Sequence, residues 1–254
     1  MKEVLALIEK KKEEFAQTPF MAFLQDKSID PRQRLAWAPS FAPFAMSFKD
    51  FNHLVLHKEP ATSKLQEMIN QHAYEDGHHW VWFLQDLKLM GYDYSINFTD
   101  TLKFLWGKET QKVRSMAYNL LGMCAFEDDI LMKLTIIESI EATGNVALFE
   151  IAQVAKELQQ ITKQHHPYFG QSHYAKETGH IQAEVEDVNH FLESIELTEA
   201  QREKAFTLVE RVFADFTESM NEMLAFAQKH PYDQTFITKA VSPLSQETLS
   251  AVGS

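Results

Sequence analysis

The sequence predicts an all-α protein, a bundle of about seven or eight helices, and three observations carry that prediction. No proline occurs between Pro60 and Pro167, an interval dense in helix formers. Capping signals stand where periodic apolar stretches begin: Asp30 before Pro31 with Gln33, Ser63 with Gln66, and Thr198 with Gln201. No convincing run of alternating β-branched residues marks a strand.

Taken in order, the first helix is expected over roughly 3–16. Its sequence, "MKEVLALIEKKKEEF", has an apolar run too short for a signal peptide and then a cluster of charges, so it reads as an amphipathic helix of the mature protein. A second helix is expected over 32–57, with Pro39 and Pro43 bending or delaying it. Ser63 opens a third over 63–90, and "GYDYSINFTD" ends it before a short helix over 99–106. Gly107 separates that helix from one over 109–142. The "TGN" at 143–145 is expected to break the chain before a helix over 145–164. "HHPYFG" precedes a helix over 171–195, and "IELT" precedes the last, over 199–229. No internal repeat, low-complexity stretch or linker interrupts this series. One helical domain over residues 1–230 is expected, with 231–254 a peripheral or partly disordered tail.

Bulk composition excludes several classes of function. A formal net charge of -12 argues against nonspecific binding to nucleic acid. No apolar stretch is long enough for a transmembrane helix, so no membrane partner is expected. The single cysteine, Cys124, rules out an intramolecular disulfide and fits a reducing, cytoplasmic setting.

The chemistry concentrates in a few inward-facing polar residues. "HYAKETGH", residues 173–180, places His173, Glu177 and His180 at i, i+4 and i+7, one side of a helix. Phe169 and Phe191 bracket that stripe, which also holds Glu184, so the side faces the core. In the third helix His72, Asp76 and His79 share a face with Leu65, Met68, Ile69, Phe83 and Leu87. Glu75 lies at its edge and His78 points nearly opposite. In the helix over 109–142, Glu127 falls amid Leu120, Cys124, Leu131 and Leu134. Burying one isolated carboxylate costs several kcal/mol or neutralises it, so several buried together need compensation. A pair of divalent metals provides it, because carboxylates bridge and balance two cations while imidazoles complete the coordination. Three carboxylates and four imidazoles suit two irons better than a structural zinc, which closes with four ligands.

Blander readings compete at each position. A lone inward histidine is more often hydrogen-bonded core, Asp76–His79 or His173–Glu177 reads equally as a helix side-chain pair, and Glu127 alone could pair with a buried Lys or Arg. The metal reading rests on the coincidence of three clusters. His165 and His166, beside Pro167, are expected to be exposed, and Tyr74, Trp80, Trp82, Tyr168 and Tyr174 to serve packing. A nucleophilic Cys124 is disfavoured, because the neighbouring Glu127 carboxylate would raise its pKa.

"HAYEDGHHWVWFLQDLKLMGYD" followed far downstream by "YFGQSHYAKETGH" resembles the haem-oxygenase-like di-iron oxidases and oxygenases, which share a fold with haem oxygenase and the thiaminase TenA family. The resemblance spans roughly residues 35–195. The pattern His, three residues, Asp or Glu, two residues, His matches His173, Glu177 and His180, and Glu127 fits the single Glu of the middle core helix. The first motif departs from the pattern: many members carry Glu seven residues before the ligand His, and here that position is His72. Asp76, three residues before His79, matches a carboxylate that some members add. Glu75 with His78 is the alternative register. The resemblance implies two bound irons, Fe(II) in the reduced resting form, O₂ as co-substrate and an electron donor. It also implies a small organic substrate of amino-acid, amine or fatty-acid type; a homodimer is a further expectation. Glu184 is placed to orient a ligand. The alternatives are a metal-free helical binding protein of the same fold and a TenA-like hydrolase using Cys124.

Overall fold

A computed structural model describes residues 1–93, 96–176 and 190–233, and among them every regular element is helical. Helix α1 (Lys2–Phe15) buries Val4, Ile8 and Phe15 along one stripe against the two longest helices. A short α2 (Pro19–Gln25) follows, which the sequence reading did not separate from its loop. Thr18 is extended and Pro19 opens the helix, and Phe20, Met21 and Leu24 all go inward.

The helix expected over 32–57 is instead several pieces. Asp30 accepts the Arg32 N–H at 2.8 Å to start α3 (Pro31–Arg34), which stops after one turn. A 3₁₀ turn over Ala38–Phe41 leads into α4 (Ala42–Asp50), extended by a π-helical turn over Phe51–Leu56. Pro39 and Pro43 each sit at the start of a segment, so they delay the helix as their missing N–H groups require.

The stretch expected as one helix over 63–90 divides at Gly77. Ser63 caps α5 (Lys64–Asp76), and α6 (His79–Leu89) starts after two intervening residues. A Cβ on Gly77 would stand 2.8 Å from the exposed His53 Nε2 and 2.9 Å from the Ala73 carbonyl oxygen, so a larger residue there would push on the His53 ring. Helix α7 (Phe98–Leu105) buries no residue and lies at the periphery.

The largest revision concerns the middle of the chain. Helix α8 (Gln111–Ala125) ends before 126–129, where no break was expected, and Asp129 caps α9 through the Leu131 N–H. Helix α9 then runs unbroken over Ile130–Thr162, straight through the "TGN" at 143–145. An isolated glycine in a helix interior costs only about 1 kcal/mol relative to alanine, and burial on several sides outweighs it here. Helix α9 ends at Lys163, in the left-handed conformation at φ 61°. Residues 171–176 are helical, and the last helix, α10 (Glu199–Lys229), begins with the capping box of Thr198 and Gln201.

Helices α9 and α10 pack along each other, with α1 across both, α8 against α10, and α5 and α3 against α9. Buried Arg34 ties the N-terminal segments to this frame. It donates to the carbonyls of Leu24 at 2.8 Å and Ile29 at 3.0 Å, and pairs with Glu157 of α9. No described helix is long and apolar enough to cross a membrane. Arg34→Ala would leave two carbonyls and a carboxylate without their donor. We expect it to lower unfolding stability by about 3 kcal/mol, measured by urea titration, with Arg34→Met/Glu157→Leu recovering part of the loss.

Candidate metal centre

The polar cluster stands where the C-terminal turn of α5, the first turn of α6, the middle of α9 and the chain around residue 173 meet. His72 and Asp76 are one turn apart on α5, and His72 Nε2 is 3.4 Å from Asp76 Oδ2. The other Asp76 oxygen, Oδ1, is 3.8 Å from His79 Nδ1 on α6. One buried carboxylate thus offers an oxygen to each of two imidazoles. His79 Nδ1 is in turn 3.1 Å from His173 Nε2, and their rings meet edge to face.

His173 is 3% exposed, and its Nδ1 donates to the Tyr168 carbonyl at 2.8 Å. That bond fixes the proton on Nδ1, which leaves Nε2 with its lone pair directed into the cluster when the ring is neutral. Tyr168 is itself held by Asp86 of α6. The Asp86 carboxylate is fully buried and its Oδ2 accepts the N–H groups of Tyr168 at 2.9 Å and Phe169 at 2.8 Å. Asp86 therefore aims His173 without touching it. His166, expected at the surface, is buried beside Asp86 with Nδ1 3.6 Å from Oδ1. The tight turn around Pro167 draws its ring inward.

Helix α9 supplies two carboxylates that the sequence reading did not select. Glu141 Oε1 lies 3.7 Å from His72 Nδ1. His72, Asp76 and Glu141 each present a ligand atom, and these atoms all lie within 4.8 Å of one another. Glu138, one turn earlier, has its pKa raised by burial, with the charge of His72 pulling the other way.

Glu127 is not brought into this cluster. Its carboxylate pairs with Lys204 of α10 at 2.6 Å and accepts the Asp129 N–H at 3.0 Å. The helical wheel that aligned it with Leu131 and Leu134 assumed a continuous helix, and the break at 126–129 resets the phase. On α9 itself the inward face gives Glu138 and Glu141 directly, had the break been recognised. Glu177, His180 and Glu184 lie outside the described residues. His78 is exposed, with its ring on the Tyr74 carbonyl, and Glu75 takes a hydrogen bond from Gln71. His78 therefore stands on the outer side of the chain from His72, Asp76 and His79.

Of the aromatic residues expected to pack, Trp82 stacks on His79 at 4.7 Å and Tyr168 tilts against His173 at 4.8 Å, while Tyr74 is exposed. The cluster opens on a cavity of about 100 Å³ whose walls include Trp37, Phe44, Phe48, Phe169, Phe216 and Met220. Asp76, His79, Glu141 and His173 form its polar corner.

Cys124 is buried in the α8 core, and burial pushes its thiol up to about 12. The native thiol should resist iodoacetamide at pH 8 and react fully once the protein is unfolded in urea, as mass spectrometry would record. Asp86→Ala should cost about 3 kcal/mol through the two lost backbone acceptor bonds, whereas Asp86→Asn keeps an acceptor and most of the stability, read from urea melts.

No protein-family profile matches the chain, and no curated protein matches it in sequence. Solved structures do match. One is a domain of unknown function with a haem oxygenase-like fold from Shewanella denitrificans. It superimposes with a TM-score of 0.62 at 15% identity, over 92% of this chain and 98% of that one. With its all-helical described structure and this superposition, the chain has a haem-oxygenase-like fold.

Proposed function

We propose that the protein is a non-haem iron enzyme, a di-iron oxidase or oxygenase that uses O₂ on a small organic substrate. The observation that carries this reading is the Asp76 carboxylate, buried and divided between His72 and His79, with Glu141 and His173 completing the corner of an apolar cavity. Mixed carboxylate and imidazole donors suit iron or manganese, and the set contains no thiolate that would favour zinc. His72, Asp76 and Glu141 would hold one metal. His79 and His173 would serve the other, and Glu138 is a further carboxylate at His72. Iron bound there would supply O₂ activation.

The chain's own residues do the remaining work. Tyr168 and Asp86 keep the His173 lone pair directed at the cluster, and Trp82 covers the face of His79. The aromatic walls lower the polarity around the cluster, which strengthens the charge interactions there. A hydrolase working through Cys124 is disfavoured, because that thiol is buried, far above its usual pKa and absent from the cavity wall.

Anaerobic loading with Fe(II), followed by metal analysis, tests the assignment. We expect up to about two irons per chain in the wild type, a ligand set of the kind helical bundles use. Asp76→Ala, His79→Ala and Glu141→Ala should each lose at least half of that iron. His78→Ala and Glu127→Ala should keep it, and His78→Ala should shift stability by no more than about 0.5 kcal/mol. Wild-type iron content in all three ligand variants would overturn the reading.

A further inference from the structure

The turn that presents His173 is fastened to α6 at one carboxylate, and one oxygen of that carboxylate is still open. Asp86 Oδ2 accepts two backbone N–H groups, whereas no donor among the described residues lies within hydrogen-bond distance of Oδ1. His166 faces that oxygen with Nδ1 3.6 Å away, and among the described residues neither of its ring nitrogens has a hydrogen-bond partner. Both side chains are sealed from solvent. Buried polar atoms left in this state are few in folded proteins, and each costs about as much as a lost hydrogen bond. A bridging water is no remedy, because two ordinary hydrogen bonds through one water need a wider gap than 3.6 Å. Direct contact is. A carboxylate has room for about four donors, and closing the gap by about 0.7 Å gives an N–H···O bond of normal length.

The backbone from His166 to His173 would pass such a contact on. Pro167 fixes one φ angle of this stretch. A Cβ on Gly170 would lie 2.2 Å from the His166 carbonyl oxygen, a backbone atom, so the turn is closed tightly on itself. The His173 N–H donates to the Gly170 carbonyl at 3.2 Å, and its Nδ1 to the Tyr168 carbonyl at 2.8 Å. Both bonds from the turn to Asp86 end on the same oxygen, and two bonds to one atom leave a pivot. A third bond, to the other oxygen, removes it.

We propose that His166 is a positioning residue: its Nδ1–H closes on Asp86 Oδ1, stops the turn from pivoting, and so holds the His173 Nε2 lone pair on the polar cluster. This rests on the reading of His173 as a metal donor, but the orientation of its ring can be observed without a metal.

The test is nitrogen-15 NMR of the His173 ring in the full-length, EDTA-treated chain at pH 8, beside anaerobic titration with Co(II) followed by visible absorption. The wild type should hold the His173 proton on Nδ1 alone. His166→Leu, which keeps bulk and removes the donor, should populate the Nε2–H form and weaken Co(II) about tenfold or more, as loss of a group behind a metal ligand does. His166→Asn, whose amide nitrogen stands near the place of Nδ1, should restore the wild-type tautomer and bind Co(II) within about threefold of wild type. A merely space-filling His166 would lower Tm in the Leu variant and leave both signals unaltered. Should His166→Leu not fold, His166→Gln, whose amide stands one carbon too far out, takes its place with the same expectation. A wild-type tautomer in the donor-lacking variant that folds, or failure of His166→Asn to restore it, overturns the proposal. A tautomer that responds to His166 in a protein that binds no Co(II) defeats the metal reading alone. Co(II) binding with a tautomer indifferent to His166 defeats this proposal alone.

Discussion

One uninterrupted helix, α9, sets the position of the polar cluster. Its 33 residues connect an Asp129 cap at one end to the Glu157–Arg34 pair towards the other, and Glu138, Glu141 and Asn145 fall between. Packing of α1, α2, α3, α5, α8 and α10 against it leaves little freedom in where those side chains point. A helix is stiff, so carboxylates mounted on it hold their spacing while shorter pieces, α5, α6 and the turn at Tyr168, bring imidazoles to them. The polar cluster thus has a rigid anionic side and a side assembled from several short segments.

Burial makes that division costly to maintain. Asp76, Glu141 and His173 stand at the border between an aromatic-walled cavity and the helix backbone, where unpaired charge is expensive. Each has a partner: Asp76 between two imidazoles, Glu141 at His72, His173 on the Tyr168 carbonyl. Asp86 extends the chain of support one step outward, and His166 fills the space behind it. Removing a member of this series has consequences beyond the bond it makes, because the next group inward loses its orientation.

Much of the helical architecture was legible because its signals are local. Ser63, Asp30 and Thr198 cap where their side chains can reach the N–H groups two or three residues on, and the proline-free interval is helical throughout most of its length. His72, Asp76, His79 and His173 were legible as inward residues because period and apolar neighbours agree at each. The outcome for Glu127 shows where such reading ends. Nothing in "CAFEDDIL" announces a break more strongly than "ATGNV" does, yet the chain breaks at the first and not the second. Tertiary packing decides between them: Ala142, Thr143 and Ala147 around the glycine are buried, whereas Phe126 is 93% exposed at the turn. A single misplaced break rotates every later residue of a helical wheel, and so Glu138 and Glu141 were passed over. Asp86 and His166 were hidden for another reason, since a carboxylate that serves distant backbone N–H groups leaves no periodic trace in sequence.

The division between α5 and α6 has an outcome for heredity as well as for shape. Asp76 and His79 face the same space from two separate helices, and Gly77 stands at the junction between them beside the His53 ring. Gly77 makes no contact with the cavity and carries no functional group. A single base change in its codon that adds a side chain would act on the junction between Asp76 and His79 while leaving both of them in the sequence. Comparisons that score only the clustered polar residues would rate such a lineage as intact, although their relative placement had changed at the junction between two helices.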